Sequence, residues 1–217
     1  MSMSISIRRR GIPAVFAALA IVATTSAQQR DPKQYQQTLE NPDRVAALQV
    51  DRVIRTLELK AGLRVADLGA GSGIFTVPLA QAVGATGKVY AVDIDAGLLQ
   101  IVAGKATAAG LAQIQTVVAG ERDAKIPEPV DLIFICDTMH HLPNQAEYVR
   151  QLGRYLRPNG RVVVIDFAPG KWPGGHESFT ITPAQVETWM TGAGFTRAAA
   201  FDFLTTNFFL VYRAATR

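Results

Sequence analysis

The residues with the clearest chemical pattern in this 217-residue chain lie between residues 64 and 73 and read RVADLGAGSG. A short apolar run that predicts a buried strand leads into glycines at every second position from residue 69 to residue 73. Glycine lets the backbone turn tightly and approach a ligand with no Cβ in the way. A strand, a glycine turn and helix-type sequence in that order predict the ligand-binding corner of a doubly wound α/β sheet.

Two residues indicate which ligand this corner holds. A dinucleotide-binding turn has the spacing G-x-G-x-x-G, which requires glycine or alanine where this chain has Ile74. Asp67 lies two residues before the first glycine, and its carboxylate would repel a pyrophosphate but attract an ammonium group. The pattern therefore predicts a pocket for a small cationic nucleoside.

A second acidic residue, Asp93, ends the next predicted strand at residues 89–92. A carboxylate has two acceptor oxygens, so Asp93 can bind both hydroxyls of a ribose. Asp95 is the better candidate for the N-cap of the helix that follows. We therefore expect Asp93 to bind the ligand.

Polar residues also follow the predicted buried strand at residues 131–136. Asp137, His140 and His141 come directly after it, at the sheet edge where the reacting groups of open α/β proteins gather. Histidine can serve there as a base, bind an acceptor or ligate a metal. No third ligand with clear spacing is visible, so no metal site is predicted. We expect at least one of the two histidines to be functional and His176 to be an ordinary loop residue.

The run from Val65 to Gly73 resembles motif I of the class I S-adenosylmethionine-dependent methyltransferases, and the segment after residue 136 resembles motif IV of the same superfamily. The resemblance covers essentially all of residues 43–217. It implies S-adenosylmethionine as the cofactor and methyl transfer by in-line displacement as the reaction. The cofactor-binding residues that it implies are Asp67, Gly69, Ala70, Gly71, Ser72, Gly73, Asp93, Ile94, Asp123 and Asp137.

The same resemblance assigns roles to loop residues. An acidic or amide side chain after the third strand reads the adenine amino group in such enzymes, and both Glu121 and Asp123 are available, with Asp123 favoured. On the acceptor side, the resemblance implies Asp137, His140 and His141 as the catalytic candidates, with histidine as a general base. The acceptor is expected to be a small molecule. Its identity cannot be read from the loop sequence.

The predicted fold is a Rossmann-like, doubly wound, seven-stranded α/β sheet. By resemblance it is mostly parallel and ends in an antiparallel pair at residues 197–203 and 208–212. Helices are predicted at residues 43–57, 96–109, 144–156 and 183–191. Residues 43–217 are expected to form the methyltransferase domain, preceded by a mobile leader at residues 28–42.

Residues 1–27 have the pattern of a secretory signal peptide. Three consecutive arginines from Arg8 precede an apolar run too short to span a bilayer comfortably, and small residues precede a cleavage position after Ala27. The pattern predicts that the protein is exported to the periplasm of a bacterium. The alternative is that the segment stays uncleaved and tethers the protein to the membrane.

Charge and cysteine content narrow the classes of partner. Three of the 22 basic residues and none of the 18 acidic residues lie in residues 1–27, so the remainder carries 19 basic and 18 acidic side chains. No basic stripe remains, and nucleic acid is not a predicted partner. Cys136 is the single cysteine, which excludes an intramolecular disulfide.

Two other functions share parts of this pattern. A non-catalytic module that binds S-adenosylmethionine would keep residues 67–73 and Asp93 but would tolerate loss of the loop after residue 136. A nicotinamide-dependent oxidoreductase shares the first strand–helix–strand unit, but Ile74 and Asp67 count against it.

Overall fold

The computed structural model describes residues 31–172 and 180–214. Its strands form a single sheet and are β1 Arg64–Leu68, β2 Lys88–Asp93, β3 Ile114–Val118, β4 Val130–Cys136, β5 Leu156–Phe167, β6 Phe195–Phe201 and β7 Asn207–Ala214. The strand order is β3-β2-β1-β4-β5-β7-β6. Strands β1 to β5 pair in parallel, and β7 runs antiparallel to both β5 and β6. The predicted fold class is confirmed.

The helices of the described residues are α1 Pro32–Leu39, α2 Pro42–Leu48, α3 Val50–Thr56, α4 Thr76–Val83, α5 Ala96–Ala108, α6 Gln145–Leu152 and α7 Pro183–Gly192, with short 3-10 helices at Met139–His141 and Gly153–Tyr155. Local chemistry sets several of their starts. Asp95 caps α5 by accepting hydrogen bonds from the N–H groups of Gly97 and Leu98. Thr182 and Gln185 form a capping box at the start of α7.

The core lies on both faces of the sheet. Successive side chains of a strand point to opposite faces, and in β4 the side chains of Ile133 and Ile135 join one apolar cluster while those of Leu132 and Phe134 join the other. All four residues are fully buried. A parallel sheet covered on both faces needs such continuous apolar strands, and its carboxyl-terminal edge is left for polar groups.

The structure differs from the sequence prediction in the leader. Residues 28–42 were expected to be mobile, but they contain α1, which Asp31 caps by accepting a hydrogen bond from the N–H of Lys33. The predicted single helix at residues 43–57 is broken between α2 and α3, because Gln49 adopts a left-handed conformation with φ of 43°. The chain therefore changes direction twice before β1.

Several element boundaries also differ; the strand predicted at residues 197–203, for example, is β6 at Phe195–Phe201. Helix α4 begins at Thr76 and not directly after the glycines. The predicted helix at residues 144–156 ends at Leu152, and β5 begins at Leu156, before its register with β4 shifts around residues 157–160. Asn159, in this irregular stretch of β5, has a φ of 65°, which asparagine tolerates.

Two predictions fall outside the described residues: the signal peptide at residues 1–27 and the role of His176. Within residues 31–172 and 180–214, no helix combines the length and the apolar character needed to cross a bilayer.

Candidate active site

Four carboxylates lie at the carboxyl ends of neighbouring parallel strands. Asp93 ends β2, Asp67 precedes the last residue of β1, Asp137 follows β4, and Asp166 precedes the last residue of β5. Since β2, β1, β4 and β5 are adjacent in the sheet, these side chains line one edge, where ligands bind in open α/β proteins. Each carboxylate has different partners, and the partners determine what each can do.

The glycine turn after β1 is tied to the end of β2 by its own backbone. The N–H groups of Gly69 and Ala70 both donate to the Val92 carbonyl, at 2.7 and 3.0 Å. The next N–H, that of Gly71, donates to Asp93 Oδ2 at 2.8 Å. The turn therefore uses these three donors to fix its own conformation and the position of Asp93. A phosphate-binding turn would instead direct such N–H groups at the anion.

Left-handed backbone conformations explain the alternating glycines. Gly69, Gly71 and Gly73 have φ values of 78°, 53° and 84°, a region that favours glycine. Gly69 also lies against the loop after β4, since a Cβ built on it would be 2.1 Å from Thr138 Oγ1. The glycine turn and the loop that carries the histidines are thus in direct contact.

Asp93 has the geometry expected of a ribose-binding carboxylate. Its two oxygens accept hydrogen bonds from the N–H groups of Gly71 and Asp95, at 2.8 and 3.0 Å. A carboxylate has about four acceptor sites, so it keeps capacity for a ligand's donors, and burial raises its pKa although backbone hydrogen bonds act in the opposite direction. The adjacent Ile94 is 67% exposed, which places an apolar surface beside the carboxylate, as a stacked base would require.

Asp67 is buried beneath the glycine turn, with 3% of its surface exposed. It accepts a hydrogen bond from Thr76 Oγ1 at 2.6 Å, and burial raises its pKa to about 7. A cationic group brought next to this carboxylate would favour its ionised form. The position is consistent with the predicted contact to the ammonium of a bound aminoacyl group.

The leader helix α1 is held next to the glycine turn. Lys105 on α5 donates to Glu40 Oε1 at 2.6 Å and to the Ser72 carbonyl at 2.9 Å. A Cβ on Gly71 would lie 3.1 Å from Leu39 Cδ1. The end of α1 therefore covers the turn, and Ser72 contributes its carbonyl oxygen to that contact.

His140 forms a buried pair with Asp166. Nδ1 of His140 is 2.7 Å from Asp166 Oδ1, and each side chain is 1% exposed. His141 follows on the same 3-10 helix and is exposed, with its ring centroid 4.0 Å from that of His140. The two predicted histidines thus occupy different environments, and Asp166 pairs with the buried one, His140.

Asp137 is engaged by protein groups on both oxygens. Arg44 on α2 donates to Oδ2 at 2.6 Å, and Asn207 donates to Oδ1 at 2.7 Å. Burial raises the pKa of Asp137 to about 6, although the Arg44 charge acts in the opposite direction. In the structure, this carboxylate holds α2 and β7 against the loop after β4, and its predicted catalytic and cofactor-binding roles stay predictions.

The two acidic candidates for the adenine end lie in a loop after β3. Asp123 Oδ1 accepts from Arg154 at 2.6 Å, from the Tyr155 hydroxyl and from the N–H of Lys125. Hydrogen bonding from Tyr155 accordingly lowers its pKa. Glu121 is exposed. Asp123 therefore links its loop to the 3-10 helix that follows α6, and its adenine contact stays a prediction.

Sequence reasoning missed three residues that shape this edge: Asp166, Arg44 and Asn207. Only Asp166 had a usable signal, because an acidic residue near the end of an apolar strand in an α/β sheet points to the ligand edge. The other two reach Asp137 from α2 and from the start of β7, elements distant from it in the sequence. Within the described part of the chain, no three His, Cys, Asp or Glu side chains form a group that could hold a metal ion.

Known proteins resemble this chain in sequence over about half of its length. Residues 65–160 match the model of a family described as a methyltransferase domain. The chain is 30% identical over 119 residues to the ubiquinone/menaquinone biosynthesis C-methyltransferase UbiE of Pseudomonas aeruginosa, which covers 52% of this chain and 46% of that protein. It is 25% identical over 116 residues to the demethylmenaquinone methyltransferase of Staphylococcus aureus, and this alignment covers 53% of this chain and 47% of that protein. The aligned region thus spans less than half the length of these relatives.

The structural similarity extends further along the chain. A crystal structure of an S-adenosylmethionine-dependent methyltransferase from Aquifex aeolicus matches with a TM-score of 0.77 and 25% sequence identity, over 85% of this chain and 99% of that one.

Proposed function

The chain belongs to the class I S-adenosylmethionine-dependent methyltransferases, and we propose that it transfers the methyl group of this cofactor to a small-molecule acceptor. The cofactor supplies an electrophilic methyl carbon bound to a positively charged sulfur. The observation that carries the proposal is the edge formed by the glycine turn, Asp93 and Ile94, where a preorganised carboxylate with free acceptor sites lies beside an exposed apolar side chain.

The chain's own residues account for binding and orientation. Gly69, Gly71 and Gly73 shape the pocket, Asp93 would accept the ribose hydroxyls, and Asp67 would face the ammonium end. Placing two reactants in line can contribute roughly 7–11 kcal/mol without any covalent residue. Leu39 and the leader helix cover the glycine turn from the other side, which would limit the access of water.

The acceptor class is the less specific part of the proposal. The two relatives named above carry names from ubiquinone and menaquinone biosynthesis, and we extend only their small-molecule class to this chain.

The cofactor assignment is tested by titration calorimetry of the full chain with S-adenosylmethionine, its demethylated product and NAD. We expect the first two to bind and Asp93→Asn to weaken them about 10- to 100-fold, because a hydrogen bond to a charged group contributes about 1.5–3 kcal/mol. The matched control is Asp95→Asn, which removes the same charge two residues away but keeps a good helix cap. Binding of NAD alone, or equal effects of the two substitutions, would contradict the assignment.

We also propose that residues 1–27 direct export and are removed after Ala27. The support is the arginine-rich start, the short apolar run and the small residues before the cleavage position. Intact-mass measurement of the protein from fractionated cells is expected to give a periplasmic chain that begins at Gln28, with cleavage blocked by Ala27→Arg. Recovery of the uncut chain in the membrane fraction would support the tether instead.

A further inference from the structure

One ring nitrogen of His140 has a hydrogen-bond partner, and the other has none among the residues that the structure describes. Its Nδ1 is 2.7 Å from Asp166 Oδ1, whereas Nε2 is buried and, among the described residues, makes no hydrogen bond. Buried polar atoms in native proteins nearly always have a partner. An atom that lacks one at the ligand edge of the sheet is a candidate contact for a bound molecule.

The carboxylate of Asp166 fixes which nitrogen carries the proton. Its Oδ1 also accepts from the N–H of Phe167 at 2.8 Å, and its Oδ2 is 3.3 Å from the N–H of His140. An ionised carboxylate held in this way accepts hydrogen bonds and cannot donate them. Nδ1 therefore carries the hydrogen in the neutral imidazole, and Nε2 presents a lone pair that can take up a proton.

Aromatic rings surround this imidazole. Trp172 packs edge-on with its ring centroid 4.6 Å from that of His140, and Phe167 is 4.7 Å from Trp172. His141 completes the group at 4.0 Å from His140. Aromatic side chains favour offset or edge-on contacts with other rings, so this cluster fits an acceptor that is itself aromatic.

The imidazole also lies close to the cofactor side of the site. His140 follows Thr138 by two residues, and Thr138 directly contacts Gly69 in the glycine turn. His140 is thus on the loop that contacts the cofactor turn, and its ring packs against the aromatic cluster. A base in this position can serve the molecule that receives the methyl group.

We propose that His140 is the general base of the reaction, that Asp166 is its positioning residue, and that the acceptor is a hydroxyl group on an aromatic ring. This inference rests on the proposed methyl transfer. The hydroxyl proton moves to Nε2 while an oxygen–carbon bond forms to the methyl group and the carbon–sulfur bond breaks, with its electron pair going to sulfur. Asp166 stabilises the resulting imidazolium, which then releases its proton to solvent.

The pair suits a hydroxyl better than an amine or a thiol. An aromatic hydroxyl is neutral at pH 7, with a pKa of about 10 in tyrosine, so it gains most from a base. A thiol ionises more readily, with a pKa of about 8.5 in cysteine. A protonated amine would bring a second positive charge against the imidazolium. Proton transfer from a neutral hydroxyl creates one cation, the imidazolium, and the negative charge of Asp166 stabilises it.

The first test is the tautomer of His140, measured by nitrogen NMR on the full chain with labelled histidine. The sequence contains three histidines, and His140→Gln assigns the signal by its loss. We expect Nδ1 to carry the hydrogen and Nε2 to be unprotonated in the neutral ring. A hydrogen on Nε2 would overturn the proposal, because that nitrogen could then accept no proton.

The second test uses 4-nitrophenol, whose absorbance reports its ionisation, with the demethylated cofactor product present so that no turnover occurs. Below the pKa of the free phenol, we expect binding to shift the Nε2 signal and to increase the ionised fraction. Asp166→Asn should reduce that increase about tenfold or more, since hydrogen bonds to charged groups are the strong ones. Arg197→Met, a control outside this cluster, should leave it unchanged, and 4-nitroanisole should have no effect.

The two proposals fail separately. An unchanged Nε2 signal, or ionisation that persists in His140→Gln, would overturn the base and the acceptor class even where the cofactor binds. Because the tautomer is measured without cofactor, failure of S-adenosylmethionine and its product to bind would instead overturn the proposed methyl transfer and leave the tautomer result standing.

Discussion

Replacing Gly69 with alanine is expected to abolish measurable binding of S-adenosylmethionine and to lower the free energy of unfolding by about 3 kcal/mol. Two effects combine. The residue has a φ of 78°, a conformation that alanine adopts with strain. Its new Cβ would lie 2.1, 2.3 and 2.6 Å from three atoms of Thr138, so the loop after β4 or the glycine turn must move. Calorimetry and chemical denaturation measure the two losses.

Gly110→Ala is the matched control. Gly110 closes α5 with a φ of 65°, and a Cβ there would meet nothing within 4 Å. This variant isolates the cost of the backbone conformation, which is about 1 kcal/mol, and it should bind the cofactor normally. If Gly69→Ala were no more destabilised than Gly110→Ala and kept its affinity, the contact between the turn and Thr138 would not matter for the site.

The features that could be predicted from sequence are those with a local chemical signal. The apolar run before Gly69, the acidic residue that ends β2 and the cap at Asp95 each depend on neighbours a few residues away, and each is present in the structure. Such features are readable because a strand, a turn or a cap is determined mainly by adjacent residues. The antiparallel pairing of the last two strands, by contrast, is predicted by the family resemblance and not by a local signal.

The break at Gln49 and the helix α1 show where that reading fails. Gln49 is neither glycine nor asparagine, so its sequence does not predict a left-handed conformation. Its side chain donates a hydrogen bond to the Phe203 carbonyl at 2.8 Å, and this contact with a distant segment stabilises the conformation. The polar composition of the leader predicts mobility, but Lys105 on α5 donates a hydrogen bond to Glu40 at the end of α1. Tertiary contacts overrode the local preference in both places.

The arrangement of the acceptor side depended on contacts that sequence does not encode by spacing. The structure pairs His140 with a carboxylate 26 residues away, and it surrounds Asp137 with groups 93 and 70 residues away. Sequence placed the histidines and Asp137 on one loop but gave all three the same expected role. Their partners separate them: Asp137 is held by Arg44 and Asn207, whereas His140 has one ring nitrogen with no hydrogen-bond partner among residues 31–172 and 180–214.

Replacing Arg44 with methionine is expected to lower the free energy of unfolding by about 2–3 kcal/mol at neutral pH, because it removes the counter-ion and a hydrogen bond from a buried carboxylate. The side chains of Arg44 and Asp137 are 23% and 6% exposed, so water screens the pair only weakly. The control is Arg197→Met, which breaks the exposed, 3.6 Å contact with Glu187 and should cost less than about 1 kcal/mol. Chemical denaturation measures both.

The pH dependence gives this prediction a second, independent check. The pKa of Asp137 is raised to about 6 in the folded protein, above its value of about 3.9 in an unfolded chain, so its effect on stability becomes less favourable as the pH rises through that interval. Loss of Arg44 raises the folded pKa further, although His140 and Asp166 still act on the carboxylate. The cost of Arg44→Met should therefore be small near pH 4 and grow towards about pH 8.

A second substitution separates charge from packing. Asp137→Asn in the Arg44→Met background removes the unpaired charge, and its amide oxygen can still accept the hydrogen bond from Asn207. We expect it to recover most of the lost stability and to flatten the pH dependence. If the double variant were as unstable as Arg44→Met and kept the same slope with pH, the arginine would act through its apolar stem and its bond to the Leu39 carbonyl, and Asp137 would have a different role at this edge of the sheet.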